Sequence, residues 1–372
     1  MSDTGKPPAG MPGAGKPGAG TPGAGTLDAE MRDAGMPNAD KTDPGAPGAG
    51  KPGTGKPDAG KPDVAHSDPG KHAPGQVPEP HAAAPCPASF APDPPPQTAT
   101  RALRAAMPAL QAAGVSDAPR DARRLLAHAM GLAPDRLTLH LSDPLTPDQS
   151  AAFQAALAAR RRRQPVSQII GSRSFWGRSF RVTRDTLDPR PETETLIEAA
   201  LAAPFRQVLD LGLGSGCILL TLLAERPEAC GLGTDISPAA LAVAQGNAQD
   251  LGLGQRARFA VSDWWGGVMG QFDLIVSNPP YIAMSEMAAL APEVRDWEPR
   301  LALTPGDDGL SPYREIARGA LAHLAPGGRL IVEIGPTQAR AVSGYFTEAG
   351  LISPRVLQDL DGRDRVVLAH RG

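Results

Sequence analysis

The sequence predicts an α/β protein in which a mostly parallel, doubly wound sheet follows a small helical bundle and an N-terminal tail. Three observations predict this. From Gln207 onward, apolar segments of strand length alternate with segments of helical period, the pattern of βαβ units. Before Pro165 the apolar residues keep helical spacing only. And residues 1–97 hold 17 of the 42 Gly and 21 of the 41 Pro in the 372-residue chain.

The tail comes first. Met11-Pro-Gly-Ala-Gly, Lys16-Pro-Gly-Ala-Gly and Thr21-Pro-Gly-Ala-Gly repeat loosely to about Gly70. The glycines lack collagen's strict period of three. Phe90 is the one aromatic residue before Thr98. Such a stretch buries too little apolar surface to offset its ordering entropy, so residues 1–97 are expected to be disordered. Every lysine lies at or before Lys71, which supports a boundary near residue 97.

Residues 98–165 are expected to form a helical domain. Leu103, Met107 and Leu110 fall on one helical face, with Pro108 expected to interrupt or kink that helix and Gly114 to end it. Leu125, Leu126, Ala129 and Met130 make a second face, entered past Ser116, Asp117 and Pro119, and Arg136–Leu141 a short third segment. Thr146-Pro-Asp-Gln149 reads as a capping box with proline in the first turn. That helix turns Phe153 and Leu157 inward and ends in Arg160–Arg163, cations suited to a helix C-terminus. Residues 166–190 are expected to be a hairpin linker, with alternation over Ser174–Val182. Residues 191–372 then carry strands at 207–210, 229–235, 257–262, 272–277, 329–333, 355–358 and 363–369. Helices are expected from Gly216, Pro238 and Pro336 and near 313–324.

Charge and composition exclude several classes. The net charge of −3 belongs to the tail, with 8 basic and 11 acidic residues; the remaining 275 balance at 29 against 29. A strongly basic nucleic-acid binder is not indicated. No apolar run approaches the roughly 20 residues that span a bilayer, and the N-terminus has neither signal-peptide nor transit-peptide character. Cys86, Cys217 and Cys230 make no disulfide framework and no metal-ligand spacing. A reducing cytosol is the simplest compartment, and no metal site is expected.

The first chemical feature is Val208-Leu-Asp-Leu-Gly-Leu-Gly-Ser-Gly216, a strand running into a glycine turn and a helix. Glycines let backbone pass close to a ligand, and a helix N-terminus offers free N–H groups. The spacing G-x-G-x-G differs from the dinucleotide pattern G-x-G-x-x-G. Asp210 precedes the first glycine, where it would repel a pyrophosphate and suit a cationic ligand bearing an amino group. A tight structural turn explains the glycines alone equally well. Asp235 ends the next strand, placed to accept both ribose hydroxyls of an adenosine; the alternative is a helix N-cap, which Ser237-Pro238 also supplies. Asp263 and Trp264 end the third strand and suit an adenine by hydrogen bond and stacking, while packing accounts for Trp264 and Trp265 as readily.

The sharpest feature is Asn278-Pro279-Pro280-Tyr281, closing the strand 272–277. Two prolines remove two N–H donors and hold the chain extended. The loop carbonyls and the Asn278 amide oxygen are then free to grip a planar NH2 group by both protons, with the Tyr281 ring against its plane. No histidine lies in these motifs. Cys217 begins a helix, where a packed thiol is a simpler account than a thiolate. Glu333 ends a strand and is either a support for the site or a plain strand-end carboxylate.

Together these residues resemble the S-adenosylmethionine-dependent methyltransferases with a seven-stranded, Rossmann-like sheet that act on amides or exocyclic amines. Gln164-Pro-Val-Ser-Gln-Ile-Ile-Gly171, Phe175-Trp176, Asp188-Pro-Arg-Pro-Glu-Thr-Glu194, Glu293–Leu303, Gly306–Leu310 and Gly362–Arg365 resemble the release-factor glutamine N5-methyltransferases over about residues 100–370. The related ribosomal-protein glutamine methyltransferases would show Pro-Arg-Ser-Pro where this chain has Pro-Arg-Pro-Glu. Asp188 and Leu213 depart from the usual aliphatic residue and threonine, and the tail is extra.

The resemblance implies that Asp210, Gly212, Leu213, Gly214, Ser215, Gly216, Asp235, Asp263, Trp264 and Asn278 bind S-adenosyl-L-methionine. It implies that Asn278, Pro279, Pro280 and Tyr281 are catalytic. The substrate would be the glutamine of the Gly-Gly-Gln motif of bacterial peptide chain release factors, gripped elsewhere by the helical domain, so that methylation tunes translation termination. A cytoplasmic monomer without membrane contact or stable nucleic-acid binding is expected. The alternatives are a ribosomal-protein glutamine methyltransferase and a nucleic-acid adenine N6-methyltransferase using the same loop. A nicotinamide oxidoreductase leaves Asn278–Tyr281 unexplained. A chain beginning near Gln97 should keep the melting temperature and turnover of the full chain; a substantial loss of either would refute a passive tail.

Overall fold

The computed structural model describes residues 97–372; apart from Gln97, the expected tail lies outside the described residues. Helix α1 (Ala99–Ala112) opens on Thr98, whose hydroxyl accepts from the Arg101 N–H, and buries Ala102, Leu103, Ala106 and Leu110. It continues through Pro108 instead of breaking there. The bond a proline forfeits is to the carbonyl four residues back. Here that residue is Arg104, on the exposed face where water is available. Asp117 caps α2 (Ala118–Ala129), and a 3-10 turn follows at Arg136–His140. The capping box of α3 (Pro147–Arg161) is formed: Gln149 N–H reaches Thr146 Oγ1 at 3.2 Å and Thr146 N–H reaches Gln149 Oε1 at 3.1 Å. The short α4 (Val166–Ile170), past the expected boundary at 165, packs Val166, Ile169 and Ile170 on the same core as Leu110, Leu126 and Phe153.

The basic run at the end of α3 does more than meet the helix dipole. Arg160 is buried and donates to Asp121 at 2.7 Å and to Glu293 at 2.8 Å. Arg163 binds both oxygens of Glu293 at 2.7 and 2.6 Å and closes the end of α1 through the Gly114 carbonyl at 2.8 Å. Glu293 thus ties the helices to the segment that follows the Asn278 loop.

Strands β1 (Ser172–Phe175) and β2 (Arg178–Arg181) form a hairpin about Trp176-Gly177, both at positive φ. Helix α5 (Glu194–Leu201) was not evident in the sequence, because eight residues with paired apolar positions show no clear period. The main sheet then builds in order: β3 (Gln207–Leu211), α6 (Cys217–Glu225), β4 (Cys230–Asp235), α7 (Pro238–Asp250), β5 (Ala257–Val261) and β6 (Phe272–Ser277). Two short helices, α8 (Pro292–Arg295) and α9 (Arg300–Leu303), precede α10 (Ser311–His323), β7 (Leu324–Glu333), α11 (Ala339–Glu348), β8 (Ile352–Gln358) and β9 (Asp364–His370). Seven strands lie in the order β5-β4-β3-β6-β7-β9-β8. The first five are parallel, and β9 runs antiparallel to both neighbours.

Leu196, Leu219, Leu222 and Ala244 of α5, α6 and α7 fill one face of the sheet; Tyr313, Ile316, Val342 and Phe346 of α10 and α11 fill the other. Strand order reverses between β3 and β6, which opens a crevice at their carboxyl ends. That crevice lies where the Gly212–Gly216 loop, Asp235 and Asn278 leave the sheet.

Replacing Glu293 with alanine leaves Arg160 with one carboxylate and Arg163 with none. Breaking a pair this enclosed costs about 3 kcal/mol, so the urea midpoint should fall with an unchanged m-value. Burial works to raise the Glu293 pKa, but hydrogen bonds from Arg163 and Arg160 win and hold it below its ordinary 4.5. Its contribution is therefore present above 4.5 and lost as pH falls through the lowered value, so the two proteins should converge in acid. An unchanged midpoint at pH 7 would contradict the clamp.

Candidate active site

A cavity of about 390 Å³ opens at the carboxyl ends of β3, β4 and β6. Its floor is the loop after β3. Gly214 stands at φ +57°, in the left-handed region that favours glycine, and a Cβ there would meet nothing within 4 Å. The constraint is therefore conformational, and in this turn the Gly214 N–H donates to Asp235 Oδ2 at 2.9 Å. Asp235 Oδ1 accepts from Ser237 N–H at 2.9 Å, while Ser237 itself caps α7 through Ala240 N–H. Asp235 is thus a clasp between β4 and the glycine loop, and the cap is Ser237. An ionised carboxylate has about four lone-pair positions. Two are used here, on a side chain that lines the cavity.

Gly212, Leu213 and Ser215 also line the cavity; Gly216, the residue that starts α6, does not. Nor does Asp210. The structure places it fully buried beneath the loop, where Oδ2 accepts from Leu219 N–H at 3.1 Å and Oδ1 has no partner among the described residues. Burial drives its carboxyl up to about 8 against that hydrogen bond, with Asp235 adding to the rise. Instead of facing a ligand cation directly, Asp210 supports the turn. The turn folds α6 back over the strand end and covers it. Burial likewise pushes the Cys217 thiol up to about 12, so it is no thiolate.

Asp263 and Trp264 line the far side. Trp265 turns away, stacking on His323 at 4.9 Å and donating to the Glu315 carbonyl at 2.8 Å. The two tryptophans thus divide, one to the cavity and one to packing.

Asn278 and Pro280 line the opposite wall; Pro279 and Tyr281 do not. Asn278 Nδ2 donates to Glu333 Oε2 at 2.9 Å and to Thr193 Oγ1 at 3.3 Å. Its Oδ1 accepts nothing among the described residues and is not sealed from solvent. Tyr281 was expected against the amide plane. Its ring packs instead on the core under α10 and α11, its hydroxyl reaches Glu333 Oε1 at 3.5 Å, and its carbonyl accepts from Gln338 Nε2 at 2.9 Å. Gly309 presses on that carbonyl so closely that a Cβ would sit 2.2 Å from it. Tyr281 anchors the loop because both its polar groups are held below it. The Pro279 and Pro280 carbonyls accept no hydrogen bond among the described residues.

Sequence reasoning named the segment Asp188–Glu194 only for its resemblance, yet it forms the rim. Asp188, Arg190 and Thr193 line the cavity. Arg190 Nη2 holds both oxygens of Glu298, at 2.7 and 2.6 Å. Burial raises the Glu298 carboxyl to about 7 despite that pairing. The clustering of charged and hydroxyl residues around two prolines was the available signal. No helix of the described residues is long and apolar enough to cross a membrane.

The PrmC N-terminal domain family matches residues 101–171, and the methyltransferase small domain family matches residues 183–293. A release factor glutamine methyltransferase of Cereibacter sphaeroides is 68% identical over 271 residues, 73% of this chain and 98% of that one. The chain belongs to the release factor glutamine methyltransferase family. The proteins of that name from Rhodospirillum rubrum and Caulobacter vibrioides are 51% and 46% identical, over 70% and 73% of this chain and 82% and 96% of theirs.

A release factor glutamine methyltransferase draws its methyl group from S-adenosylmethionine, and the cavity residues fit that group. The open lone pairs of Asp235 suit a pair of vicinal hydroxyls. The bare backbone at Gly212 and Gly214 leaves room for a chain to pass, and Ser215 brings a buried hydroxyl with no partner among the described residues. Trp264 and the half-exposed Ile236 offer apolar surface for a flat ring. Replacing Asp235 with alanine removes hydrogen bonds to a charged group worth roughly 1.5–3 kcal/mol each. Calorimetric titration should show S-adenosylmethionine affinity falling at least tenfold while the domain stays folded, and unchanged affinity would remove Asp235 from the site.

Proposed function

We infer that the protein transfers a methyl group from S-adenosylmethionine to N5 of the glutamine side chain in the Gly-Gly-Gln motif of peptide chain release factors. One observation carries the reading beyond family membership. At the cavity wall, acceptors are free and donors are not: Asn278 Oδ1 and the carbonyl of Pro280 have no partner among the described residues, while the Asn278 NH2 is committed behind the wall. That arrangement suits a planar NH2 held by both protons. When bound, S-adenosylmethionine supplies a methyl group activated by a sulfonium centre. An amide nitrogen is a poor nucleophile because its lone pair is delocalised, so this chain's contribution is orientation and exclusion of water. Asn278 and the Pro280 carbonyl hold the nitrogen, and Asp235 with the glycine loop holds the adenosine side.

Relatives of 41 to 68% identity carry the glutamine methyltransferase name, so neither the ribosomal-protein nor the adenine reading is favoured. We further propose a cytoplasmic monomer without stable nucleic-acid binding, which the balance of 29 basic and 29 acidic residues after residue 97 supports.

Incubation with labelled S-adenosylmethionine and a purified release factor should place the label on the Gly-Gly-Gln glutamine, and changing that glutamine to glutamate should abolish it. Label elsewhere would overturn the assignment. Asn278→Ala should lower kcat roughly a hundredfold or more by losing orientation, with a far smaller effect on release-factor docking. A fully active variant would exclude Asn278 from the grip.

A further inference from the structure

Glu333 stands behind Asn278, outside the cavity lining and 1% exposed. Three donors converge on it: Thr193 Oγ1 at 2.6 Å and Asn278 Nδ2 at 2.9 Å on Oε2, and the Tyr281 hydroxyl at 3.5 Å on Oε1. An ionised carboxylate accepts only, so donors must face it. The asparagine amide is almost symmetric in shape, and a half-turn of its end group exchanges oxygen for nitrogen. With the oxygen toward Glu333, two acceptors would confront each other in a buried place, leaving both unsatisfied.

We propose that Glu333 is a positioning residue that fixes the orientation of the Asn278 amide, so that the cavity selects a substrate NH2 over a carbonyl or carboxylate oxygen. The inference rests on reading the substrate as a glutamine side chain. With its NH2 held by Glu333 and Thr193, Asn278 shows the substrate an acceptor. Reversed, it would show a donor, which matches the glutamine carbonyl and turns the nitrogen away from the methyl group. A buried carboxylate behind the wall also disfavours a glutamate side chain, whose charge has the same sign.

The surroundings of Glu333 bear on its charge. Arg365 of β9 favours the ionised form, and Glu192 of the turn before α5 opposes it. Tyr281, Tyr313 and Cys217 also face it, and burial raises all three, so they stay neutral at pH 7. Burial drives the Glu333 carboxyl up to about 7, with the Thr193 hydrogen bond and Arg365 pulling it back. A protonated Glu333 is able to donate to Asn278 Oδ1 and so permits the reversed orientation. Activity is therefore expected to fall as pH drops through that range.

Three variants test this by steady-state kinetics on a purified release factor. Glu333→Gln keeps the volume but offers a donor as well as an acceptor. Its kcat should fall at least tenfold while KM for the release factor stays within about threefold. Asn278→Asp sets two carboxylates against each other and should lose roughly a hundredfold. Combining the two supplies a donor to the new carboxylate and leaves its other oxygen for the substrate, so the double variant should recover about tenfold over Asn278→Asp alone. A merely structural Glu333 would make the double variant worse than either single one. Thr193→Val removes the hydrogen bond that lowers the Glu333 pKa, so the acid limb of kcat against pH should move to higher pH. That profile decides the matter if Glu333→Gln does not fold. Wild-type kcat in folded Glu333→Gln, no recovery in the double variant, or an unmoved acid limb in Thr193→Val would overturn the proposal. A wild-type protein that leaves release-factor glutamine unmethylated would instead overturn the functional reading beneath it.

Discussion

The hydrogen bond from Asn278 to Glu333 joins the ends of two neighbouring parallel strands, and much of the site is arranged around it. β6 and β7 are in register with Ser277 opposite Val332. Asn278, the first residue past β6, and Glu333, the last residue of β7, therefore stand at the same level, close enough to bond at 2.9 Å. A one-residue slip would put one of them on the wrong face. Burial makes the bond consequential, because a carboxylate 1% exposed must find donors inside the protein. It finds them on two segments: the Thr193 turn, and the loop that carries both Asn278 and Tyr281. One buried charge thus gathers the rim, the wall and the loop anchor.

A second set of contacts places the helices. Between Glu293 and Glu298 the chain touches Arg160 of α3 and Arg163 just past its end, the Arg162 carbonyl through Trp297 Nε1 at 3.1 Å, and the rim through Arg190. Gln168 of α4 donates a hydrogen bond to the Trp297 carbonyl at 3.1 Å. These bonds link segments more than 100 residues apart in sequence, and several are charge-assisted, the stronger class of hydrogen bond. The cavity rim and the helical core therefore share one continuous polar network.

Much of this was legible in the sequence for local reasons. The strands, the capping box at Thr146, the glycine turn, Asp235 and the Asn278 loop each announce themselves within a few residues. What was not legible depends on pairing between distant segments. Asp210 sits one residue from the turn, and only the path of α6 decides that it lies under the loop. Tyr281 looked like a cavity aromatic until Gly309 and Gln338 pinned it from below. Glu333 was visible as a strand-end acid, but its partner is set by which strand lies beside β7. Arg160–Arg163 read as helix-end cations because Glu293 is 130 residues away. Pro108 suggested a break, yet its one lost hydrogen bond falls on the wet face of α1.

Substrate selection turns on the direction in which one amide points, and a neutron structure of the protein with S-adenosylhomocysteine and a Gly-Gly-Gln peptide reads that direction from deuterons. The expected result places both Asn278 deuterons toward Glu333 and Thr193, and a deuteron of the peptide glutamine on Asn278 Oδ1. Asn278 deuterons pointing at the glutamine carbonyl, or a glutamine side chain bound away from Asn278, would contradict it.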